Sequence, residues 1–498
     1  MNDNWWFTEA FESDLAKTYS LDHFESDRRT FRFEMYVHFA HVEMLFHEHI
    51  INREEASQLL AALLRVWNEG PGIVPLREGR VEFFSNLEDW LVDEIGIDTG
   101  GKFHIGRSRN DIECTIARMM SKEYLTEFAF SVIGLTRDLL AKASEHVETV
   151  MPGYTHHSQH AQPTTLGHYL LWGVDSFMRD LERASDCFDR TDRCSMGAAA
   201  LCTTGFPINR DYTARLLGFR DIAEHSVDAA GSRDHLLEAA SVLAIFESSL
   251  NRLTELLLIW NIREIGMVRL AKKHCSYSSI MPQKVNPIGI EMVRTSASDT
   301  YSRLLNMLIT LKATTPGNGR EPGHVDSCIF DMYQSVIPAA AYTGEMVRMM
   351  EVNRAQCLKL AKEGFSTMTE LADMMVREKN ISFYMAHHIV SSVASAITAS
   401  GLELKDINSS LLDETAMKLY HRTVGLSDSD IHKALDPVEN VRTRSITGGP
   451  SFDETRRMIE VRLEKIKQTE SLWQSRKNHM EKAAEECLCL AQKICGIS

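Results

Sequence analysis

The sequence predicts an all-α protein of three helical domains, and three observations carry that reading. Five stretches, at about residues 112–148, 164–192, 229–268, 288–312 and 326–350, repeat apolar residues at three- and four-residue spacing, the period of an amphipathic helix. Glycine and proline are sparse inside these stretches and cluster between them. Helices of about 25–40 residues exceed the globular mean and imply a bundle. Their apolar stripes are too broad for one small bundle to consume, so helices are expected to pack between subunits as well. The expected boundaries are 1–111 for a mostly helical N-terminal domain, 112–352 for the five-helix bundle and 353–498 for a C-terminal helical domain.

At 498 residues the chain can bury a large core. A formal charge of −15 with no basic run argues against nucleic acid or an anionic membrane as partner. An anionic substrate then needs a locally positive pocket. The longest fully apolar run, LLLIW near residue 258, is too short to span a bilayer. The acidic start, MNDNWWFTEAFESD, lacks a signal-peptide core. Ten cysteines are scattered, mostly through apolar helical stretches, as free thiols in a reducing cytoplasm would be. Cys487 and Cys489 fall about 200° apart around a helix and cannot share a metal there.

Taken in order, residues 1–110 are expected to mix short helical pieces with loops. The clearest helical piece starts at His38; His38, His41, His47 and His49 show no compact ligand spacing and read as solvated or core-edge. In GGKFHIGRSRNDIECT, residues 100–115, Gly106 offers a tight turn. Arg107, Ser108, Arg109 and Asn110 then place cations and donors before a helix from about Asp111. In residues 152–170, Pro163 reads as a helix start, with His156, His157, Gln159 and Gln162 in the loop before it.

Residues 277–291, YSSIMPQKVNPIGIE, combine more demands. Asn286 reads as an N-cap with Pro287 at the first helical position. Ser278, Ser279 and Lys284 precede it at the positive end of the helix dipole, an anion-binding arrangement. In the last domain Thr367 or Thr369 and Ser382 are plausible N-caps of a helical hairpin. Residues 452–495 read as a long charged helix packed on the surface.

Residues 277–291 resemble the signature of the fumarase/aspartase superfamily, Gly-Ser-Ser-x-Met-Pro-x-Lys-x-Asn-Pro followed by a Glu. Ser278, Ser279, Met281, Pro282, Lys284, Asn286, Pro287 and Glu291 fall on pattern, and Tyr277 stands where the family has Gly. GRSRND, with GK-x-H before it, resembles the argininosuccinate lyases. Residues 153–163 resemble that family's Gly-Tyr-Thr-His-x-Gln-x-Ala-Gln-Pro with one residue too many. Aligned from Thr155 the family histidine is His156; aligned back from Pro163 it is His157, which is favoured because Pro163 sets the helix start. Residues 195–211, 226–234 (with Gly231 in place of a Ser) and 435–449 resemble further family segments.

The resemblance implies one five-helix bundle per subunit, assembled into a homotetramer with a twenty-helix core and sites shared between subunits. It also implies β-elimination from a succinyl group, releasing fumarate. The costly species is a carboxylate-stabilised carbanion, so preorganised donors and a cation around it are the main catalytic contribution. Ser278 is then the base, His157 the general acid oriented by Glu291, and Lys284 the cation. Ser108, Arg109, Asn110, Thr155, His156, Gln159, Ser279, Met281 and Asn286 bind a small anionic substrate. No metal or organic cofactor is called for.

Departures concern the substrate's other half. Where argininosuccinate lyases carry a Tyr, a Gln and a second Lys after the fourth bundle helix, this chain has Asn318, Gly323 and Asp326, and Phe84 stands in place of a His. The expected substrate is therefore an N-substituted aspartate other than argininosuccinate. Rival readings are a true argininosuccinate lyase, a carboxymuconate cycloisomerase-like enzyme and a catalytically silent, crystallin-like structural protein.

Overall fold

The computed structural model describes residues 14–75, 77, 82–156, 159–317 and 319–497, with side chains from residue 29 onward except that of Arg320. Helix α1 (Asp14–His47) is 34 residues long, where short pieces were expected. It is followed by α2 (Arg53–Glu69), capped by Asn52 in a reciprocal capping box with Glu55, and by α3 (Phe83–Ile95). His47 and His49 are exposed, but His38 and His41 are fully buried, neither solvated nor at the core edge. Their neighbours explain it: His38 packs on Phe84 and Phe103, and His41 bonds the carbonyl of Ile105 at 2.9 Å.

The bundle consists of α4 (Arg109–Glu145), α5 (Leu166–Thr191), α6 (Asp234–Asn261), α7 (Ile288–Leu311) and α8 (Arg320–Met349). Each overlaps its expected stretch, and the shifted ends have local causes. Helix α4 begins at Arg109, two residues before the expected start at about Asp111, because the cap Ser108 accepts the Asn110 N–H on its hydroxyl while the Asp111 carboxylate accepts the Ser108 N–H. Pro163 is not a helix start. It lies in strand β2 (Gln159–Thr165), paired with β1 (Val150–Thr155), and Thr165 caps α5 through the His168 N–H at 3.0 Å. Asn286 is likewise no N-cap. It sits in β4 (Val285–Asn286), paired with β3 (Ser276–Tyr277), and Pro287 holds the cap position without a side-chain bond.

The bundle has two distinct ends. At the near end, where α4 begins, Arg233 before α6 meets Cys114 of α4 and Asp326 of α8. At the far end, where α4 finishes, Arg348 of α8 pairs with Asp138, and Gly289 at the start of α7 abuts Tyr342 and Met346 of α8. Beyond the bundle come α9 (Arg354–Lys362), α10 (Met368–Lys379), α11 (Phe383–Ala399), α12 (Ser409–Tyr420), α13 (Asp428–Leu435), α14 (Pro437–Thr443) and α15 (Phe452–Ile494). Ser382 caps α11 through the Met385 N–H at 3.4 Å; Thr367 precedes α10 without a side-chain cap.

Buried apolar residues between 368 and 434 form their own cluster. Helix α15 packs on the outside of the bundle, and one stripe of it enters the core. Its Trp473 is 0% exposed and, with Ile466, Cys487 and Ala491, belongs to the bundle's core. The charged residues of α15 line its outer side and hide this buried stripe. Cys487 is buried and Cys489 exposed, as their spacing requires. Among the described residues no helix is long and apolar enough to cross a membrane.

Candidate active site

The near end carries Ser108, Arg109 and Asn110. With Gly106 and Arg107, Ser108 lines a hollow of roughly 480 Å³ whose other wall is residues 199–204. Asn110 donates to the carbonyl of Ala200 at 3.1 Å. Arg109 points away from duty as a free cation: Glu82 takes its guanidinium at 2.6 and 2.7 Å, and Glu113 lies 3.7 Å away.

Beneath them is a residue that sequence reasoning passed over. Asp111 is fully buried; its Oδ1 accepts from the Ser108 N–H, and its Oδ2 accepts from Gly197 and Ala199, each at 2.9 Å. Burial pushes its carboxyl up to about 6, against the three backbone bonds and the Arg107 charge. The S-x-x-D spacing was a capping-box signal that could have flagged half of this role.

Arg233 and Asp326 are the second pair not anticipated. Arg233 is 0% exposed in its side chain and donates to Asp326 at 2.8 Å. Asp326 thus uses its charge internally. The same corner explains Gly231: a Cβ there would lie 2.4 Å from the backbone nitrogen of Gly317. Gly323 is half-buried in α8, and Asn318 lies outside the described residues. Phe84 is buried, stacked on Phe103 and facing the Arg107 guanidinium at 5.3 Å.

The far end carries the other candidates on two hairpins. In the β1–β2 hairpin Thr155 pairs with Gln159 at the tip, and both are exposed with His156. His156 takes a left-handed φ of 45° and its Nδ1 lies 3.3 Å from the Thr155 hydroxyl. His157 lies outside the described residues. Between the pairs Pro152–Pro163 and Tyr154–His160 the register shifts, with Gly153 opposite both Ala161 and Gln162, a bulge in β2. With Pro163 in a strand, the reason for preferring His157 over His156 no longer holds.

The β3–β4 hairpin carries Ser278, Ser279, Met281, Lys284 and Asn286. Ser278 Oγ accepts N–H bonds from Met281 at 3.0 Å and Ile280 at 3.4 Å. Two backbone donors on one hydroxyl favour its ionised form, which a serine base requires. Ser279 and Lys284 are exposed, Asn286 is half-buried, and Glu291 is exposed in the first turn of α7. Among the described residues Lys284 makes no ion pair.

The two ends do not meet within one chain. Helix α4 alone, 37 residues, spans about 55 Å, with Ser108 before it and Thr155 just past its other end. The turn that carries the first hairpin is tied to the end of α4 by Leu166 N–H to Thr149 O and Gly167 N–H to His146 O. No group of three His, Cys, Asp or Glu among the described residues is placed to hold a metal ion.

A family model described as a lyase matches residues 26–300, and one described as the argininosuccinate lyase C-terminal region matches residues 365–442. The argininosuccinate lyase of Methanothermobacter thermautotrophicus is 36% identical over 441 residues, covering 89% of this chain and 93% of that protein. That of Methanococcoides burtonii is 36% identical over 473 residues, covering 95% of each. Among solved structures, EDDS lyase in complex with formate superposes with a TM-score of 0.86 at 30% identity, covering 97% of this chain and 96% of that one. A variant of EDDS lyase with bound fumarate gives 0.85 at 30%, covering 98% and 97%. The 3-carboxy-cis,cis-muconate lactonizing enzyme from Pseudomonas putida, at 16% identity and a TM-score of 0.70 over 92% of this chain and 98% of that one, shares the fold.

Proposed function

The chain belongs to the argininosuccinate-lyase-like members of the fumarase/aspartase superfamily, and from that membership we propose that it cleaves an N-substituted aspartate, other than argininosuccinate, to fumarate and an amine. It is a carbon–nitrogen lyase. The observation that carries the choice of substrate is the ion pair between Asp326 and the buried Arg233. A guanidinium-bearing substrate leaves polar groups unpaired at about 1–3 kcal/mol each when its partners are missing. Here the position that would offer a lysine offers a carboxylate already spent on Arg233. Bound fumarate and formate in the similar EDDS lyases support a carboxylate-binding half of the same kind.

In the proposed reaction Ser278, as alkoxide, takes a proton from the carbon beside a carboxylate. The electron pair first loads that carboxylate and then forms the fumarate double bond as the C–N bond breaks. The leaving amine takes a proton from His157 or His156, with Glu291 as the histidine's carboxylate partner. Lys284 and Asn286 meet the growing charge, and Ser108, Asn110 and Thr155 hold the substrate. Gln159, Ser279 and Met281 complete the wall; Arg109, held by Glu82, orients it.

Since the two ends of one bundle stand about 55 Å apart, such a site is complete only between subunits. Helix α7 leaves Met292, Tyr301, Leu305, Leu308 and Ile309 exposed, a face suited to a homotetrameric core. Light scattering on the active enzyme tests this, and a stable active monomer refutes it.

The second reading, a true argininosuccinate lyase, is favoured by the 36% identity to enzymes of that name. Fumarate release from argininosuccinate and from a panel of N-substituted aspartates, assayed side by side, separates the two. The proposal expects turnover in the panel only. Argininosuccinate cleaved at about 10⁴ M⁻¹s⁻¹ or better would establish the rival.

A further inference from the structure

One wall of the near-end hollow has a shape that does not support itself. Residues 195–204 include Gly197 at φ 82°, Ala199 at φ 53° and Thr203 at φ 58°. Two of these three left-handed positions carry side chains, a conformation an L residue takes only where its surroundings impose it.

What imposes it lies underneath. The Asp111 carboxylate accepts from the N–H groups of Gly197 and Ala199 with one oxygen and from that of Ser108 with the other. Arg210 closes the turn from the other side, donating to the carbonyls of Met196, Ala223 and Glu224. A Cβ at Gly197 would stand 2.6 Å from the Arg210 Cγ, so the fit there is tight. On top, Ala200 accepts from the Asn110 amide. One buried side chain therefore fixes the helix cap, the strained turn and, through the turn, the orientation of Asn110. Burying a carboxylate is costly, and neither stability nor chemistry requires that cost at a plain helix cap.

We propose that Asp111 is a positioning residue for the reaction: it holds residues 197–204 in their strained turn so that the turn, Ser108 and Asn110 form one preorganised seat for a substrate carboxylate. This deepens the proposed function and rests on it. Asp111 touches no substrate. It acts by keeping the turn from relaxing to an ordinary backbone that would swing Ala200, and with it Asn110, out of place.

The test is fumarate binding by calorimetry, with kcat and KM, on the intact assembled enzyme. Asp111→Asn keeps the volume but turns one acceptor into a donor, so it cannot serve all three N–H groups. It is expected to weaken fumarate binding about tenfold or more and to raise KM more than it lowers kcat. Adding Ala199→Gly removes the conformational penalty at φ 53° and is expected to restore about fivefold of that loss. Should Asp111→Asn fail to fold, Ala199→Pro deletes the donated N–H and forbids positive φ while leaving the carboxylate and α4 intact; the same loss of affinity is expected. A wild-type enzyme that binds no fumarate overturns both this inference and the proposed function. If fumarate binding falls in Ser108→Ala but persists unchanged in Asp111→Asn and Ala199→Pro, the positioning role of Asp111 alone is refuted.

Discussion

The two ends of the bundle are built on opposite terms. At the near end the named polar groups are tied down by partners: Asp111 under three backbone amides, Arg233 against Asp326, Asn110 on Ala200. At the far end they stand on hairpins in the open. Tyr277 is 62% and Ile280 83% exposed, and the loop between β3 and β4 is closed by Ser278 N–H to Lys284 O and Lys284 N–H to Met281 O. A seat for an anion gains from rigidity, because ordering it costs nothing at the moment of binding. Proton transfer needs groups that approach a substrate already seated, and exposed hairpins supply them. The difference fits the proposal that each end is half a site, and the 37-residue length of α4 keeps the two ends of one chain apart.

The largest effect expected at the far end comes from Ser278. Ser278→Ala removes the proposed base, and with it the acceptor for the Ile280 and Met281 N–H groups, while leaving the Ser278–Lys284 backbone bond in place. Elimination should fall about 10³-fold or more, roughly 4 kcal/mol of transition-state stabilisation, with the thermal midpoint unchanged. Near-wild-type turnover would move the base elsewhere and break the division between the two ends.

At the near end the corresponding loss should be of stability rather than of rate. Asp326→Ala leaves Arg233 as an uncompensated buried cation, which costs about 3 kcal/mol, read as a lower thermal midpoint. A midpoint within a degree of wild type would mean that Arg233 finds another partner and that the corner is less closed than it looks.

The pH response should also divide the ends. Burial pushes Asp111 up to about 6, with Arg107 the charge facing it and the buried Cys194 thiol beside it. An acid whose folded value is raised binds more protons in the native state than in the unfolded one. Its contribution to stability is therefore greatest near pH 4, declines as pH rises to about 6, and is level above that. Wild type minus Asp111→Asn should thus fall by about 2 kcal/mol between pH 4 and 6.5. A difference that grows with pH over that range would have the wrong sign for a buried carboxyl.

How much of this was legible depended on how far apart the partners lie. The bundle helices announced themselves because a 3.6-residue period repeats over many turns. Pro163 misled because proline suits a helix start and an edge strand alike; only its pairing with Pro152, where neither residue has an N–H to lose, settles the matter. Ser278, Lys284 and Ser108 were readable as chemistry from residue type beside a helix start. Asp111 was not, because the amides it holds belong to Gly197 and Ala199, more than 80 residues away. Nor was the Arg233–Asp326 pair, separated by 93 residues. Trp473 stayed hidden in α15 because the charges around it dominate the local pattern.

The smallest effect should come from Tyr277, which stands at the base of the β3–β4 hairpin where the family pattern has glycine. In this chain the residue pairs with Val285 in extended backbone, a conformation that needs no glycine, and its ring is mostly in solvent. Glycine there gives up strand propensity and adds backbone freedom, worth about 0.5–1 kcal/mol against the closed hairpin. The hairpin belongs to no packed core, so the protein's overall stability should not register the change. Turnover should, but weakly: if opening of this loop limits release of product, Tyr277→Gly raises kcat by no more than about threefold and leaves fumarate affinity unaltered. Stopped-flow product release alongside steady-state kcat measures both. A tenfold loss of kcat/KM would instead assign the ring to the substrate's amine half, and recognition of that half would then fall to the far end.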